Sequence, residues 1–308
     1  MTTLAVHAGP ATRHWRGAFA AAAPELAVVG WDEPAAAQAE YVAAWDPPDG
    51  FFARFARLRA VFALGAGVER LLGRDDLPAE VPLLRLLDAG MAAQMFEYAL
   101  VGVLAWQRRM PEYASQQSRQ RWQPLPARAR SDVRVGVLGL GAIGSAVARS
   151  LAALDYRVSG WSRSPKTVAG CQALHGTDAL CVVLAQTDVL VNLLPSTPYT
   201  RGLLDARRLR QLPVGAYVVN AARGDQLDAQ ALLALLESGH LSGALLDVFA
   251  TEPLPADSPL WRHPRVTLTP HVAAVTQIDP AVAQILAGIA GIEAGRMPPG
   301  RVDRALGY

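Results

Sequence analysis

Three polar side chains in the last third of the chain, Arg223, Glu252 and His271, have the types that carbonyl chemistry needs. An arginine can grip a carboxylate through two parallel hydrogen bonds and polarise an adjacent carbonyl. A histidine can deliver a proton to a carbonyl oxygen, and a glutamate beside it would favour the protonated ring and fix which nitrogen faces outward. Taken singly, each has a plainer explanation: a surface charge, a solvated acid, a satisfied turn residue. Their positions join them. Arg223 follows the apolar run Val218-Val219-Asn220, Asp247 and Glu252 lie at and past Leu245-Leu246, and His271 lies past Leu268-Thr269-Pro270. In open parallel sheets ligands bind beyond the carboxyl ends of the strands. These residues should therefore gather on one edge, whereas His263, which precedes its strand, should sit on the opposite edge and serves as a control.

A second motif supplies the reagent for such a site. Val135-Gly136-Val137-Leu138 reads as a strand and runs into Gly139-Leu140-Gly141-Ala142-Ile143-Gly144, the start of a helix. A second strand, Tyr156 to Trp161, closes the unit. Gly139 would allow the tight turn, Gly141 the close approach of a pyrophosphate and Gly144 the packing of helix on sheet, with the diphosphate at the helix N-terminus. A glycine triplet alone is weak; its placement between two strands points to a dinucleotide. Sites selective for NAD place an acid at the end of the second strand, about 20 residues past the first glycine. Here the strand ends in Trp161-Ser162-Arg163-Ser164-Pro165-Lys166, and Lys166 is the only lysine in the chain. Ser162, Arg163, Ser164 and Lys166 offer hydroxyls and cations to a 2′-phosphate, so NADP(H) is expected over NAD(H). A solvated basic turn is the alternative.

The elements that must position these groups are legible as alternating strands and helices. Leu4-His7, Leu26-Val29, Tyr41-Trp45, Ala60-Leu64 and Val81-Leu86 read as strands of a first parallel domain; Asp188-Leu194, Ala216-Asn220, Gly243-Val248 and Arg265-Thr269 continue the second. Near-continuous apolar strands with helices between them predict an α/β chain of two Rossmann-like domains, each a doubly wound parallel sheet. The turn Gly65-Ala66-Gly67-Val68 after Leu64 could offer backbone N–H groups to an anion, or be an ordinary turn. The helix beginning at Met91 carries almost no polar residue until Gln107, so it must be buried between domains or against another subunit. The expected domains are 1–98 with 276–308, made discontinuous by a returning C-terminal helix, and 99–275, the dinucleotide domain. The second takes in most of the helix that begins at Met91.

Composition narrows the function classes. The chain has 308 residues, 51% of them hydrophobic and 18% charged, with a net charge of +2. Such a composition fits a globular protein with a large core and argues against nucleic-acid binding or a polybasic membrane anchor. No stretch approaches the roughly 20 apolar residues of a membrane span, and the Ala-rich segment Ala18-Ala23 is interrupted by Pro24 and Glu25, so a cytoplasmic protein is expected. Cys171 and Cys181 lack metal-site neighbours and are expected to be small buried hydrophobes.

The motifs Leu138-Gly139-Leu140-Gly141-Ala142-Ile143-Gly144, Asn220-Ala221-Ala222-Arg223-Gly224, Leu246-Asp247-Val248-Phe249-Ala250-Thr251-Glu252-Pro253-Leu254 and Leu268-Thr269-Pro270-His271-Val272-Ala273-Ala274 resemble those of the D-isomer-specific 2-hydroxyacid dehydrogenases. Phe62 to Val68, Trp161 to Ser164, Pro259 to Val266 and Val302 to Tyr308 look like its glyoxylate/hydroxypyruvate reductase A branch. The resemblance implies that the discontinuous domain, 1–98 with 276–308, is a flavodoxin-like substrate domain, that the helix from Met91 is the dimerisation helix of a homodimer, and that Arg223, Glu252 and His271 are the catalytic set. It also implies Asp247 as a nicotinamide contact, and cofactor contacts from Ala142, Ile143, Leu194, Pro195 and Ala221. Ala66 and Gly67 become backbone donors to the substrate carboxylate, and Trp45 stands where the branch has a substrate-pocket tryptophan. The expected activity is NADPH-dependent reduction of small 2-keto acids, glyoxylate or hydroxypyruvate first. A nucleotide-sensing, corepressor-like binding protein on the same scaffold is the alternative, and the complete Arg, Glu and His set argues against it.

Overall fold

The computed structural model describes residues 2–308. In chain order the strands are β1 (Thr3–His7), β2 (Ala27–Gly30), β3 (Tyr41–Ala44), β4 (Ala60–Ala63), β5 (Leu83–Leu84), β6 (Arg134–Leu138), β7 (Arg157–Ser162), β8 (Cys171–His175), β9 (Val189–Asn192), β10 (Ala216–Asn220), β11 (Leu241–Leu246) and β12 (Val266–Leu268). The α-helices are α1 (Thr12–Ala22), α2 (Glu69–Leu72), α3 (Met91–Gln107), α4 (Met110–Ser118), α5 (Ala142–Ala153), α6 (Thr177–Ala185), α7 (Ala206–Leu209), α8 (Ala229–Glu237) and α9 (Ile278–Glu293). The chain divides into two compact units, one of residues up to Met91 with Thr276–Tyr308, the other of Ala92–Val275.

The first unit is a five-stranded parallel sheet in the order β2-β1-β3-β4-β5. Its β3 and β4 are short runs of Ala, Val, Tyr and Phe buried on both faces, as the interior of a parallel sheet covered by helices requires. β5 is only two residues long, against an expected Val81-Leu86. Pro82 has no N–H and its carbonyl accepts from Val61, while the N–H of Arg85 leaves the sheet to donate to the carbonyl of Gly300. The returning segment after α9 thus pairs where the strand would have continued.

The second unit is a seven-stranded parallel sheet in the order β12-β11-β10-β9-β6-β7-β8. Counted from β6, this is the 3-2-1-4-5-6 order of a dinucleotide fold with one further strand, and its switch point lies between β6 and β9. Two core clusters sandwich the sheet: Val147, Ala148 and Leu151 of α5 belong to one, and Leu232 and Leu236 of α8 to the other. Each fully buried Val or Leu contributes about 1.5–3 kcal/mol. Asp228 caps α8 by accepting from the N–H of Ala231 (3.0 Å), and Gly239, with φ +78°, follows its end. β8 has no counterpart in the sequence expectation, because an edge strand half-exposed along its length has no continuous apolar run.

Two differences bear on the expected domains. The contact division falls after Met91 rather than near residue 98, because Met95, Ala99 and Val103 of α3 are buried in the core of the second unit; the other break falls after Val275. The apolar surface of α3 is also not all covered, for Val101 is 58% and Leu104 39% exposed. Cys181, expected to be buried, is exposed on α6, and Cys171 is partly buried, with burial pushing its thiol up to about 11. Among the described residues no group of His, Cys, Asp or Glu could hold a metal, and no helix is long and apolar enough to cross a membrane.

Candidate active site

All strands of the second sheet run the same way, so its carboxyl edge collects whatever follows each strand. Gly139 follows β6, Ser162 ends β7, Leu194 and Pro195 follow β9, Ala221 to Arg223 follow β10, Asp247 follows β11, and Thr269 to Ala273 follow β12. His263 precedes β12 at the other end, where its Nδ1 accepts from the N–H of Arg265 and burial, with the Arg265 charge, holds its ring below the ordinary histidine value.

His271 is held in a conformation that an L-residue rarely adopts, with φ +56°. Asp247 is what holds it. That residue is 1% exposed, and its carbonyl accepts from the His271 N–H (2.9 Å). Its Oδ1 accepts from the Thr269 hydroxyl (2.6 Å) and the Val272 N–H (2.8 Å), and its Oδ2 from the Ala273 N–H (2.9 Å). Because the Thr269 proton goes to Asp247, Tyr98 of α3 must donate its own to Thr269 (2.6 Å). The turn is therefore fixed from both sides.

His271 Nδ1 donates to Glu252 Oε2 (2.8 Å), since an ionised carboxylate can only accept, and this leaves Nε2 as the nitrogen free to serve a substrate. Glu252 Oε1 in turn accepts from the Phe249 N–H (2.9 Å). Burial pushes the Glu252 carboxyl up, but the hydrogen bonds from His271 and Phe249, with the charges of His271 and Arg223, outweigh it and hold the carboxyl below its ordinary value. Arg223 reaches the same neighbourhood because Gly224 lets its loop touch the 247–252 segment. A Cβ on Gly224 would lie 1.8 Å from the carbonyl carbon of Phe249. One N–H of the Arg223 guanidinium donates to the Ala222 carbonyl (2.6 Å).

The glycine turn divides into tasks that the geometry separates. Gly139 has φ +96°, and a Cβ there would meet the Leu193 carbonyl at 2.6 Å. A Cβ on Gly144 would sit 1.8 Å from the Gly139 carbonyl oxygen, so this residue lets α5 close on the turn. A Cβ on Gly141 would meet nothing within 4 Å. Open space thus stands before the N-terminus of α5, where Gly141, Ala142 and Ile143 begin the helix. That space and the helix N-terminus fit a dinucleotide diphosphate. At the end of β7, Arg163, Ser164 and Lys166 are exposed, whereas Ser162 is buried and donates its hydroxyl to the Ser164 carbonyl (2.8 Å). Ser162 thus shapes the basic turn, and the exposed donors are its neighbours.

In the first unit, Trp45 follows β3 with its N–H donating to the His7 carbonyl (2.8 Å), and the residue is 47% exposed. The ring lies against the turn after β4, where a Cβ on Gly65 would come 2.5 Å from it. Ala66 and Gly67 are half-buried at the same edge, just before α2. Trp45 is continued by Asp46, whose carboxylate accepts from Arg70 of that helix.

Sequence reasoning passed over Tyr98, Thr269, Asn192 and Gln226. The first two prop the His271 turn; the latter pair, with Asn220, are buried amides beneath the edge. For Tyr98, Thr269 and Asn192 the available signal was a polar residue inside an otherwise apolar segment; Gln226, in a polar turn, offered none.

With this geometry established, comparison with known proteins gives a consistent result. The sequence model described as "D-isomer specific 2-hydroxyacid dehydrogenase, NAD binding domain" matches residues 100–273. The chain belongs to the D-isomer specific 2-hydroxyacid dehydrogenase family. It is 45% identical over 299 residues to the glyoxylate/hydroxypyruvate reductase A of Serratia proteamaculans, covering 96% of each protein. A crystal structure of a D-isomer specific 2-hydroxyacid dehydrogenase from Xanthobacter autotrophicus, in complex with NADPH and MES, superposes with a TM-score of 0.95 at 42% identity over the whole of both chains. The NADPH-dependent glyoxylate/hydroxypyruvate reductase of Sinorhizobium meliloti, bound to NADP and sulfate, gives 0.91 at 33% identity, again over both whole chains.

Proposed function

We propose that this chain is an NADPH-dependent reductase of small 2-keto acids, converting glyoxylate to glycolate and hydroxypyruvate to D-glycerate. The observation that carries the reading is the His271–Glu252 pair at 2.8 Å, set on the same sheet edge as Arg223 and the glycine turn. A protein that only senses a nucleotide has no need of an oriented proton donor. The S. proteamaculans and S. meliloti relatives point to the same substrates, and the structures bound to NADPH and NADP to the same cofactor.

In this reading Arg223 binds the substrate carboxylate and polarises the keto group. A dinucleotide whose diphosphate rests at the glycine turn would supply the hydride from its nicotinamide. His271 gives its Nε2 proton to the carbonyl oxygen, and Glu252, ionised through its lowered carboxyl, stabilises the imidazolium and keeps Nδ1–H turned inward. Asp247 holds the turn with three donors on its carboxylate, and would take the carboxamide of a bound nicotinamide as a further one. Gly139, Gly141, Ala142, Ile143, Gly144, Leu194, Pro195 and Ala221 line the cofactor; Arg163, Ser164 and Lys166 take the 2′-phosphate, with Ser162 behind them. Trp45 and the N–H groups of Ala66 and Gly67 serve the substrate. The second unit thus supplies the cofactor contacts and the catalytic set, and the first supplies further substrate contacts.

The same proposal includes a homodimer working in the cytoplasm, with the exposed Val101 and Leu104 of α3 covered by a second copy. Sedimentation at micromolar concentration should show twice the chain mass of 32.8 kDa; a monomer alone would count against the dimer. The activity is tested by following NADPH absorbance with glyoxylate and with hydroxypyruvate. Saturable oxidation with equimolar hydroxy acid is expected, and no oxidation with any 2-keto acid would remove the proposal.

A further inference from the structure

Beneath the edge that carries Arg223 lie three side-chain carboxamides with no exposure at all: Asn192 at the end of β9, Asn220 at the end of β10, and Gln226 in the turn after Arg223. Asn192 Nδ2 donates to Asn220 Oδ1 (3.0 Å) and to Gln226 Oε1 (2.7 Å). Gln226 Nε2 donates to the carbonyls of Leu194 (3.1 Å) and Pro195 (2.8 Å). Asn220 Nδ2 donates to the Arg223 carbonyl (3.3 Å), and its Oδ1 also accepts from the Ala222 N–H (3.3 Å). Asn192 Oδ1 accepts from the Leu194 N–H (3.4 Å). Turning over either Asn192 or Gln226 would set oxygen against oxygen, so these bonds define a single arrangement.

The network joins two loops that have separate tasks. One, Leu193-Leu194-Pro195, leaves β9 beside the glycine turn; the other, Ala221-Ala222-Arg223, leaves β10. Packing alone would accept apolar residues at all three wholly buried positions, as it does along the rest of β9 and β10. We infer that Gln226, acting through Asn192 and Asn220, is a positioning residue that fixes the spacing between the 193–195 loop and Arg223. It touches neither reactant. It sets where the cofactor-facing backbone stands relative to the cation that grips the substrate. This rests on the reading of Arg223 and Leu194-Pro195 given above, because a misplacement of about 1 Å matters at around 10²-fold only where two reacting groups must meet.

Two substitutions in the full chain test it. Gln226→Met keeps the length and removes all three hydrogen bonds of the side chain. In cofactor-free protein, hydrogen exchange at 193–196 and at 222–224 should rise together, while the rest of the sheet stays protected and thermal unfolding stays cooperative. With NADPH and glyoxylate, kcat should fall by about 10–100-fold. Gln226→Glu gives the second signature. Its carboxylate would face the two carbonyls and can donate to one of them only when protonated, so its rate relative to the wild type should fall as pH rises. Taking the ratio removes the contribution of His271. Should Gln226→Met not fold, Gln226→Glu compared at acid and neutral pH gives the same reading. Faster exchange confined to 224–226, with 193–196 unchanged, would overturn the coupling, as would a wild-type kcat in a folded variant. If the wild type itself does not reduce glyoxylate, the function fails, and the exchange experiment still decides whether Gln226 couples the loops.

Discussion

The carboxyl edges of the two sheets are built from different materials. In the second unit the edge is made of side chains already tied down: Asp247 with three donors on its carboxylate, His271 with its Nδ1 given to Glu252, and buried amides under Arg223. In the first it is a nearly side-chain-free turn, Gly65-Ala66-Gly67, with one large ring, Trp45, laid over it. Parallel topology therefore delivers a site edge to each unit but does not decide its use. Proton transfer needs one group in one orientation, and that demands a bonded network. Anion recognition needs only N–H groups that nothing obstructs.

This contrast orders the expected effects. Outside the acid itself, the largest loss should come from Arg223→Leu. It removes a two-bond grip worth about 1.5–3 kcal/mol per bond, so kcat/KM for glyoxylate should drop about 10²–10⁴-fold in initial-rate assays. Next, Arg163→Ala with Lys166→Ala should weaken NADPH binding about tenfold to over a hundredfold while leaving NADH nearly untouched. Equal losses for both cofactors would mean that the basic turn reads no phosphate.

Glu252→Gln should move a pH limit more than a rate. The substituted amide still meets His271 but lacks the charge that supports the imidazolium, so reduction should fail at lower pH than in the wild type. Glu252 itself, with its carboxyl held below its ordinary value, contributes stability that is present above the ordinary carboxylate range and is lost as pH falls through the lowered value. Acid unfolding of the variant should lack that component. The smallest effect belongs to the first unit. Gly65→Ala would drive a Cβ to 2.5 Å from the Trp45 ring, so the ring must move. KM for glyoxylate should rise several-fold with kcat almost unchanged. A fall in kcat alone would erase the distinction between the two edges.

Most of the architecture is legible in the sequence because buried parallel strands write continuous apolar runs, and because Gly139, Gly141 and Gly144 stand between two of them. His271, Glu252 and Arg223 are legible for a related reason: each follows such a run, and a parallel sheet sends all of them to one side. What escapes has no local signature. β8 is an exposed edge strand; β5 is cut short by its pairing with Gly300, more than 200 residues away in sequence; and Ser162, a hydroxyl at the right place, spends its proton on the Ser164 carbonyl. Gln226 looks like any polar turn residue until the fold buries it, and the αL conformation of His271 emerges only once Asp247 has captured three donors around it.

The central claim is that one side chain on the second edge supplies the proton, and it is tested most directly by comparing two histidines. His271→Asn and His263→Asn should both bind NADPH as the wild type does, measured by nicotinamide fluorescence. Under saturating glyoxylate, His271→Asn should lose about 10²–10⁴-fold in kcat, whereas His263→Asn, on the opposite edge, should stay within about twofold of the wild type. Near-normal turnover by the folded, NADPH-binding His271→Asn protein would contradict the account.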